Sequence, residues 1–137
     1  MQPDLYTTTP ETPIEVAAAV MRDKKIGSLP VLREKQLVGI ITESDIFRAF
    51  VGLFTSDETG ARITFDVSAG EDFFALVAQA ALRNRVQVSS LVRLVQDNQP
   101  ICVVRVAGAT VDSFLEEIWN SGHRVLNVIR FPLVPSE

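Results

Sequence analysis

Gly39-Ile40-Ile41-Thr42-Glu43-Ser44-Asp45 passes within seven residues from an apolar, β-prone run to the start of a helix. Thr42 stands where an N-cap belongs, and Asp45 is close enough in sequence to reach back to it, as in a capping box. Beyond them Ile46, Phe47, Phe50 and Val51 recur at helical spacing. Upstream, Leu37 to Ile41 reads as a strand and Arg33 to Gln36 as a polar turn. Ser28-Leu29-Pro30-Val31-Leu32 is the strand before that turn, so a hairpin leads into the helix. Earlier still, Thr12-Pro13-Ile14-Glu15 has the form of a second capping box with proline in the first turn. Ile14, Ala17, Ala18 and Met21 give that helix one apolar face, and Asp23-Lys24-Lys25 with Gly27 ends it. Tyr6 to Thr9 is short and β-prone, so the predicted order is strand, helix, strand, strand, helix.

These residue types suit a phosphate-bearing ligand for stated reasons. A helix N-terminus presents unpaired N–H groups and partial positive charge to an anion. At that point the Thr42 hydroxyl can donate to a phosphate oxygen, and the Asp45 carboxylate can accept from a ribose diol. Gly39 removes a side chain where backbone and ligand come close. A purely structural role accounts for the same residues: Thr42-x-x-Asp45 as an ordinary cap, and Gly39 as relief of crowding in a strand.

Read with Ser28-Leu29-Pro30-Val31 and Thr9-Pro10-Glu11-Thr12-Pro13-Ile14, the opening stretch resembles the CBS (cystathionine-β-synthase-type) repeat over almost its whole length. The resemblance implies a non-catalytic sensing module of order βαββα over residues 1–54. Its adenine nucleotide would have phosphate at Thr42 and ribose at Asp45, with Gly39 beneath. Thr8, Thr9, Pro10, Ile26, Pro30 and Val31 would wall the base. Lys24, Lys25 and Arg48 are nearby cations that the family pattern does not specify. The family normally carries two repeats in tandem, and Met1-Gln2-Pro3-Asp4-Leu5 resembles the linker into a second one. The chain is therefore expected to be the C-terminal portion of a longer protein or a piece excised from one, and, if it stands alone, its single repeat is expected to pair in a two-fold homodimer.

Thr55 to Gly60 is polar and aperiodic, and reads as a linker. After it come a strand at Arg62 to Val67, a helix at Glu71 to Arg85 and a strand at Val86 to Val95. The turn Asp97-Asn98-Gln99-Pro100 leads to a strand at Ile101 to Val106, a helix at Thr110 to Ser121 closed by Gly122, and a strand at Arg124 to Phe131. This is βαββαβ, the ferredoxin-like order, over residues 61–131 with a tail at 132–137. The expected class is α+β throughout. Residues 61–131 resemble the ACT domain, a small-molecule-sensing module that often binds amino acids at dimer interfaces. That family's first loop usually carries an aspartate, a proline and a glycine, whereas Val67-Ser68-Ala69-Gly70 keeps only the glycine. Ser68, Ala69 and Gly70 are the candidate ligand loop. The competing reading is a capping box, Ser68-x-x-Glu71, which holds the helix and nothing else. The combination of CBS and ACT modules is similar to that of an acetoin-utilisation-type group.

Charge and composition narrow the classes of function. Residues 1–59 carry nine acids against six bases and residues 60–137 eight against seven, so neither half has the basic face of a nucleic-acid binder. No apolar run reaches membrane-span length and no secretory leader is seen, which makes the cytoplasm the expected address. One cysteine, Cys102, and one histidine, His123, leave no metal-site pattern and no nucleophile with its base. His123 reads as a helix-end residue, Cys102 as a buried strand residue, and Phe73, Phe74 and Trp119 as packing. No enzyme, metal or catalytic cofactor is expected. The leading expectation is a regulatory module that binds AMP, ADP, ATP or another adenosyl ligand and dimerises through both halves. A ligand-free dimerisation scaffold and an amino-acid sensor are the alternatives.

Overall fold

The computed structural model describes residues 6–54, 59–70 and 72–133. The linker read at Met1 to Leu5, most of the linker after Phe54, Glu71 and the end of the tail lie outside the described residues. The chain is a mixed α and β protein that divides into two compact units, one up to Leu53 and one from Phe54.

The first unit runs α1 (Ile14–Lys24), β1 (Ser28–Arg33), β2 (Gln36–Thr42) and α2 (Glu43–Phe54). β1 and β2 form an antiparallel hairpin whose turn residues, Glu34 and Lys35, both take positive φ, the backbone that a two-residue hairpin turn requires. The strand expected over Tyr6 to Thr9 is reduced to one parallel bridge between Thr8 and Val31. The Thr8 N–H donates to the Pro30 carbonyl and the Leu32 N–H to the Thr8 carbonyl. Two residues on, Pro10 has no N–H with which to extend that ladder.

α1 begins without the expected capping box. Pro13 is its N-cap, no side chain caps it, and Thr12 Oγ1 instead accepts from the Thr9 N–H at 3.3 Å. Its end does not need Gly27, because Lys25 itself turns left-handed (φ 55°) and lets the Ile26 N–H close on the Met21 carbonyl. Ala17, Met21 and Leu29 form a small core, with Val20, Ile26, Ile41 and Ile46 packed around it. Only one face of the hairpin is covered in this way. Val38 and Ile40, on the other face, are 54% and 60% exposed, and no residue of α2 is buried.

The second unit runs β3 (Gly60–Asp66), α3 (Phe73–Asn84), β4 (Gln87–Gln96), β5 (Gln99–Ala107), α4 (Val111–Asn120) and β6 (Val125–Phe131). Its sheet has the order β4-β5-β3-β6, and every paired neighbour is antiparallel. Alternation along the strands explains the layers: Ala61, Ile63 and Phe65 of β3, with Cys102, Val104 and Val106 of β5, face α3 and α4 in one core. Arg83 and Glu117 tie the two helices together with a 2.6 Å ion pair. The cap of α3 is not the expected Ser68: Asp72 Oδ1 accepts from the Ala75 N–H at 3.4 Å, and the Glu71 of that expectation lies outside the described residues. β3 includes Gly60, which the sequence reading left in the linker. A Cβ there would stand 2.0 Å from the Val106 carbonyl oxygen, so the close approach of β5 needs glycine. Pro100, read as a turn residue, is already paired with Val95 inside β5, and the turn itself is Asp97 and Asn98, both with positive φ.

Candidate functional site

The hairpin register brings the predicted site residues into two neighbouring groups. Thr8 bridges Val31, and Val31 pairs with Gly39, so these three form one row across the sheet. Pro30 is one step along the same strand, and its carbonyl is held by Thr8. Three residues further along β2, Thr42 pairs with Ser28 and passes directly into α2. Strand rise puts the two groups about 10 Å apart. The Glu43 N–H donates to the Gly27 carbonyl, which fastens the start of α2 to the entry of β1, next to Ile26.

Gly39 has nothing within 4 Å of where its Cβ would stand. Crowding among the described residues therefore does not account for it, which corrects one of the two readings offered for this residue. Thr9 and Pro10 are exposed. The Thr9 hydroxyl lies 2.7 Å from that of Thr12, so the two share a proton locally. Thr8 is buried, with both backbone groups engaged by β1, and its Oγ1 has no hydrogen-bond partner. Thr8 can therefore offer a ligand only its hydroxyl.

Thr42 and Asp45 are bonded to each other. Asp45 Oδ2 accepts from the Thr42 N–H (2.9 Å) and from the Thr42 hydroxyl (2.8 Å), while Thr42 Oγ1 accepts from the Asp45 N–H (3.3 Å). The capping box is formed, and the single hydroxyl proton of Thr42 is committed to it. A phosphate can take that proton only if Thr42 rotates away from Asp45. Asp45 retains acceptor capacity for a diol, although its Oδ1 also pairs with Arg48 at 3.2 Å. The Thr42 N–H and hydroxyl, followed by Arg48, hold the Asp45 carboxyl below the usual aspartate range, so it is ionised at neutral pH. Of the three nearby cations, Arg48 is thus occupied by Asp45, and Lys24 lies 5.1 Å over the Tyr6 ring. An open groove follows α2 past Glu43, Ser44, Phe47, Arg48 and Val51.

The loop of the second unit is built differently from its expected form. Asp66, one residue before Val67-Ser68-Ala69-Gly70, is buried, and its Oδ1 accepts from both the Ser68 N–H (2.8 Å) and the Ser68 hydroxyl (2.5 Å). Gly70 takes φ 81° and closes the turn by donating to the Val67 carbonyl. A buried acid therefore stands at the foot of this loop, engaged with Ser68, Gln99 and Arg124. Sequence reasoning missed it, although Asp-x-Ser is a signal for a side chain that bonds its own backbone two residues on. Ser68, read as a cap or a ligand donor, donates its hydroxyl to Asp66.

Among the described residues there is no group of three or more His, Cys, Asp or Glu arranged to hold a metal, and no helix is long and apolar enough to cross a membrane.

Residues 1–52 match the family model of the CBS domain. A stretch of 54 residues is 46% identical to an inosine-5'-monophosphate dehydrogenase of Thermoplasma acidophilum, covering 39% of this chain and 11% of that protein. A mitochondrial CBS domain-containing protein, CBSX3, of Arabidopsis thaliana is 38% identical over 47 residues, 34% of this chain and 23% of that one. An inosine-5'-monophosphate dehydrogenase of Korarchaeum cryptofilum is 41% identical over 46 residues, 34% of this chain and 10% of that one. The chain thus carries a CBS domain in its first unit, a type of domain that acts generally as a regulatory module for adenosyl ligands. It spans between 10% and 23% of the length of these relatives.

Proposed function

We propose that the chain is a non-catalytic regulatory module, acting in the cytoplasm, whose first unit binds an adenine nucleotide or another adenosyl ligand and which assembles as a two-fold homodimer. The ligand lies along β1 and β2, with its base against Thr8, Thr9, Pro10, Ile26, Pro30 and Val31, its backbone approach at Gly39, its phosphate at Thr42 and its ribose at Asp45. The observation that carries this reading is Gly39. A bare backbone position with open space around it, in the same row as Thr8 and three residues from a helix start, suits an approaching ligand and serves no packing need among the described residues. The exposed apolar face of the hairpin, and an apolar α2 with no buried residue, support assembly with a second copy. The second unit is read as an ACT-like domain that serves mainly dimerisation, in the manner of the acetoin-utilisation-type group. Its loop hydroxyl is engaged by Asp66, which weakens the amino-acid-sensing alternative.

A ligand-free scaffold is the second reading, and the closed Thr42–Asp45 box favours it, because that box satisfies the helix start without any ligand. Thermal unfolding of the full chain against AMP, ADP, ATP and S-adenosylmethionine separates the two. Ligand at 100 times its dissociation constant stabilises a folded-state site by about 2.7 kcal/mol. The expected result is a shift with one adenosyl ligand, abolished in Asp45→Ala and in Gly39→Val. Absence of a shift with all four ligands in a folded dimer establishes the scaffold instead.

A further inference from the structure

β6 is an edge of its sheet, so one row of its backbone N–H and C=O groups has no strand beside it among the described residues. Between this edge and α4 runs an open groove, with buried Ile63 as its floor and Leu115, Val125 and Val128 along its sides. Trp119 is 70% exposed at the rim, a large indole left in water beside an apolar groove. Three charged groups line the same groove: Asp112 and Glu116 of α4 and Arg130 of β6. Arg130 is ion-paired with Asp112, which leaves the Glu116 carboxylate as the charge in excess. A short connection joins the end of α4 to the start of β6, and the Arg130–Asp112 pair joins their other ends, so the two run in opposite directions. One turn of α4 from Asp112 to Glu116 covers about 6 Å, as do two residues of β6 from Arg130 to Val128, so Glu116 stands level with Val128.

We infer that this groove receives an extended segment of a partner protein, which adds a strand to the β6 edge and carries a lysine or arginine between apolar side chains. Alternate side chains of such a strand turn toward α4. The one opposite Val128 meets Glu116, where a base is attracted and an acid repelled, and the next on that face, toward Val125, lies against Trp119 and Leu115. The ends of the chain itself lack that chemistry: Met1-Gln2-Pro3-Asp4-Leu5 has an acid and no basic side chain, and Val134-Pro135-Ser136-Glu137 has an acid and a proline. The β6 of a second copy offers Arg130 as its one base, and that residue is already paired with Asp112. A basic, apolar segment of another protein is the occupant that the excess carboxylate selects. The inference goes beyond the dimerising role proposed for the second unit and does not depend on the adenosyl ligand.

Trp119 is the only tryptophan in the chain, so its emission reports on this groove. Selection of phage-displayed random linear peptides on the full chain, followed by titration of the enriched sequences as synthetic peptides, provides the test. Enriched peptides are expected to carry a lysine or arginine two residues from an apolar side chain and to shift Trp119 emission to the blue. Glu116→Lys is expected to reverse the preference, toward peptides with glutamate in place of the base. Trp119→Gln is expected to weaken binding on the order of tenfold by calorimetry, with far-UV circular dichroism unchanged in both variants. Selection that enriches no sequence, enriched peptides that are acidic or uncharged, or an affinity that either variant leaves unmoved overturns the inference. A blue shift that follows the mass of a dimer in a dilution series without peptide also overturns it, and gives the groove to a second copy. The adenosyl ligand is judged by the separate unfolding series, so the two readings fail independently.

Discussion

Thr8 carries an unresolved chemical debt at the centre of the first unit: a buried hydroxyl without a hydrogen-bond partner, in a residue whose backbone is fully engaged. Leaving such a group unsatisfied costs about 1–3 kcal/mol, and valine has nearly the same shape without the cost. Thr8→Val is therefore expected to stabilise the ligand-free chain by roughly 1 kcal/mol, seen as a higher urea midpoint at unchanged slope. The same variant tests the ligand site. If affinity for the adenosyl ligand survives, the hydroxyl is a core orphan; if affinity is lost, the ligand is its missing partner. Cys102 shows the opposite case, in which local reading was sufficient. Its place in Ile101-Cys102-Val103-Val104 implied a buried small side chain, and burial keeps it 1% exposed and pushes its thiol pKa up, away from reactivity.

Helix ends show what local pattern can and cannot specify. Of three capping boxes legible in the sequence, Thr42-x-x-Asp45 forms, Thr12-x-x-Glu15 does not, and Glu71 of the third lies outside the described residues. At α1 the preceding bridge holds Thr9 near Thr12 and diverts its hydroxyl, and at α3 the buried Asp66 captures Ser68. Spacing lists which partners are within reach, but competition from other groups two or three residues away selects among them. Strand glycines make the same point with opposite outcomes. Gly39 and Gly60 both sit in strands, yet one faces open space and the other the Val106 carbonyl. Gly60→Ala is expected to destabilise the second unit by about 1–3 kcal/mol, because the obstructing atom is backbone and cannot swing aside. Chemical denaturation followed by near-ultraviolet circular dichroism at Phe and Trp reads this loss, with Gly39→Ala as the neutral control.

At the scale of the whole molecule, acid stability draws on lowered carboxylates in both units, Asp45 and Asp66 among them. Asp45 is lowered first by the Thr42 N–H and then by its hydroxyl, and Asp66 first by the Ser68 hydroxyl and then by its N–H. Both folded pKa values lie below the unfolded value, so their stabilisation is complete above the unfolded pKa and is lost as pH falls through the folded one. Denaturation midpoints are thus expected to be level near neutrality and to decline below about pH 4. Asp66→Asn should flatten part of that decline, and a decline equally steep in this variant would remove Asp66 from the account. The sequence by itself determined the helices, the other strands and their order, the places of the two hairpin turns and the helix start at Thr42, because periodicity, turn chemistry and capping act over a few neighbouring residues, while the expected strand over Tyr6 to Thr9 was reduced to a bridge. Tertiary structure alone decided that Asp66 is buried at the foot of the loop, that Gly39 faces open space among the described residues, that Gly60 meets the Val106 carbonyl, and that Trp119 is left in water. Those outcomes depend on register and on which faces find a partner, and both are set by contacts between residues far apart in the chain.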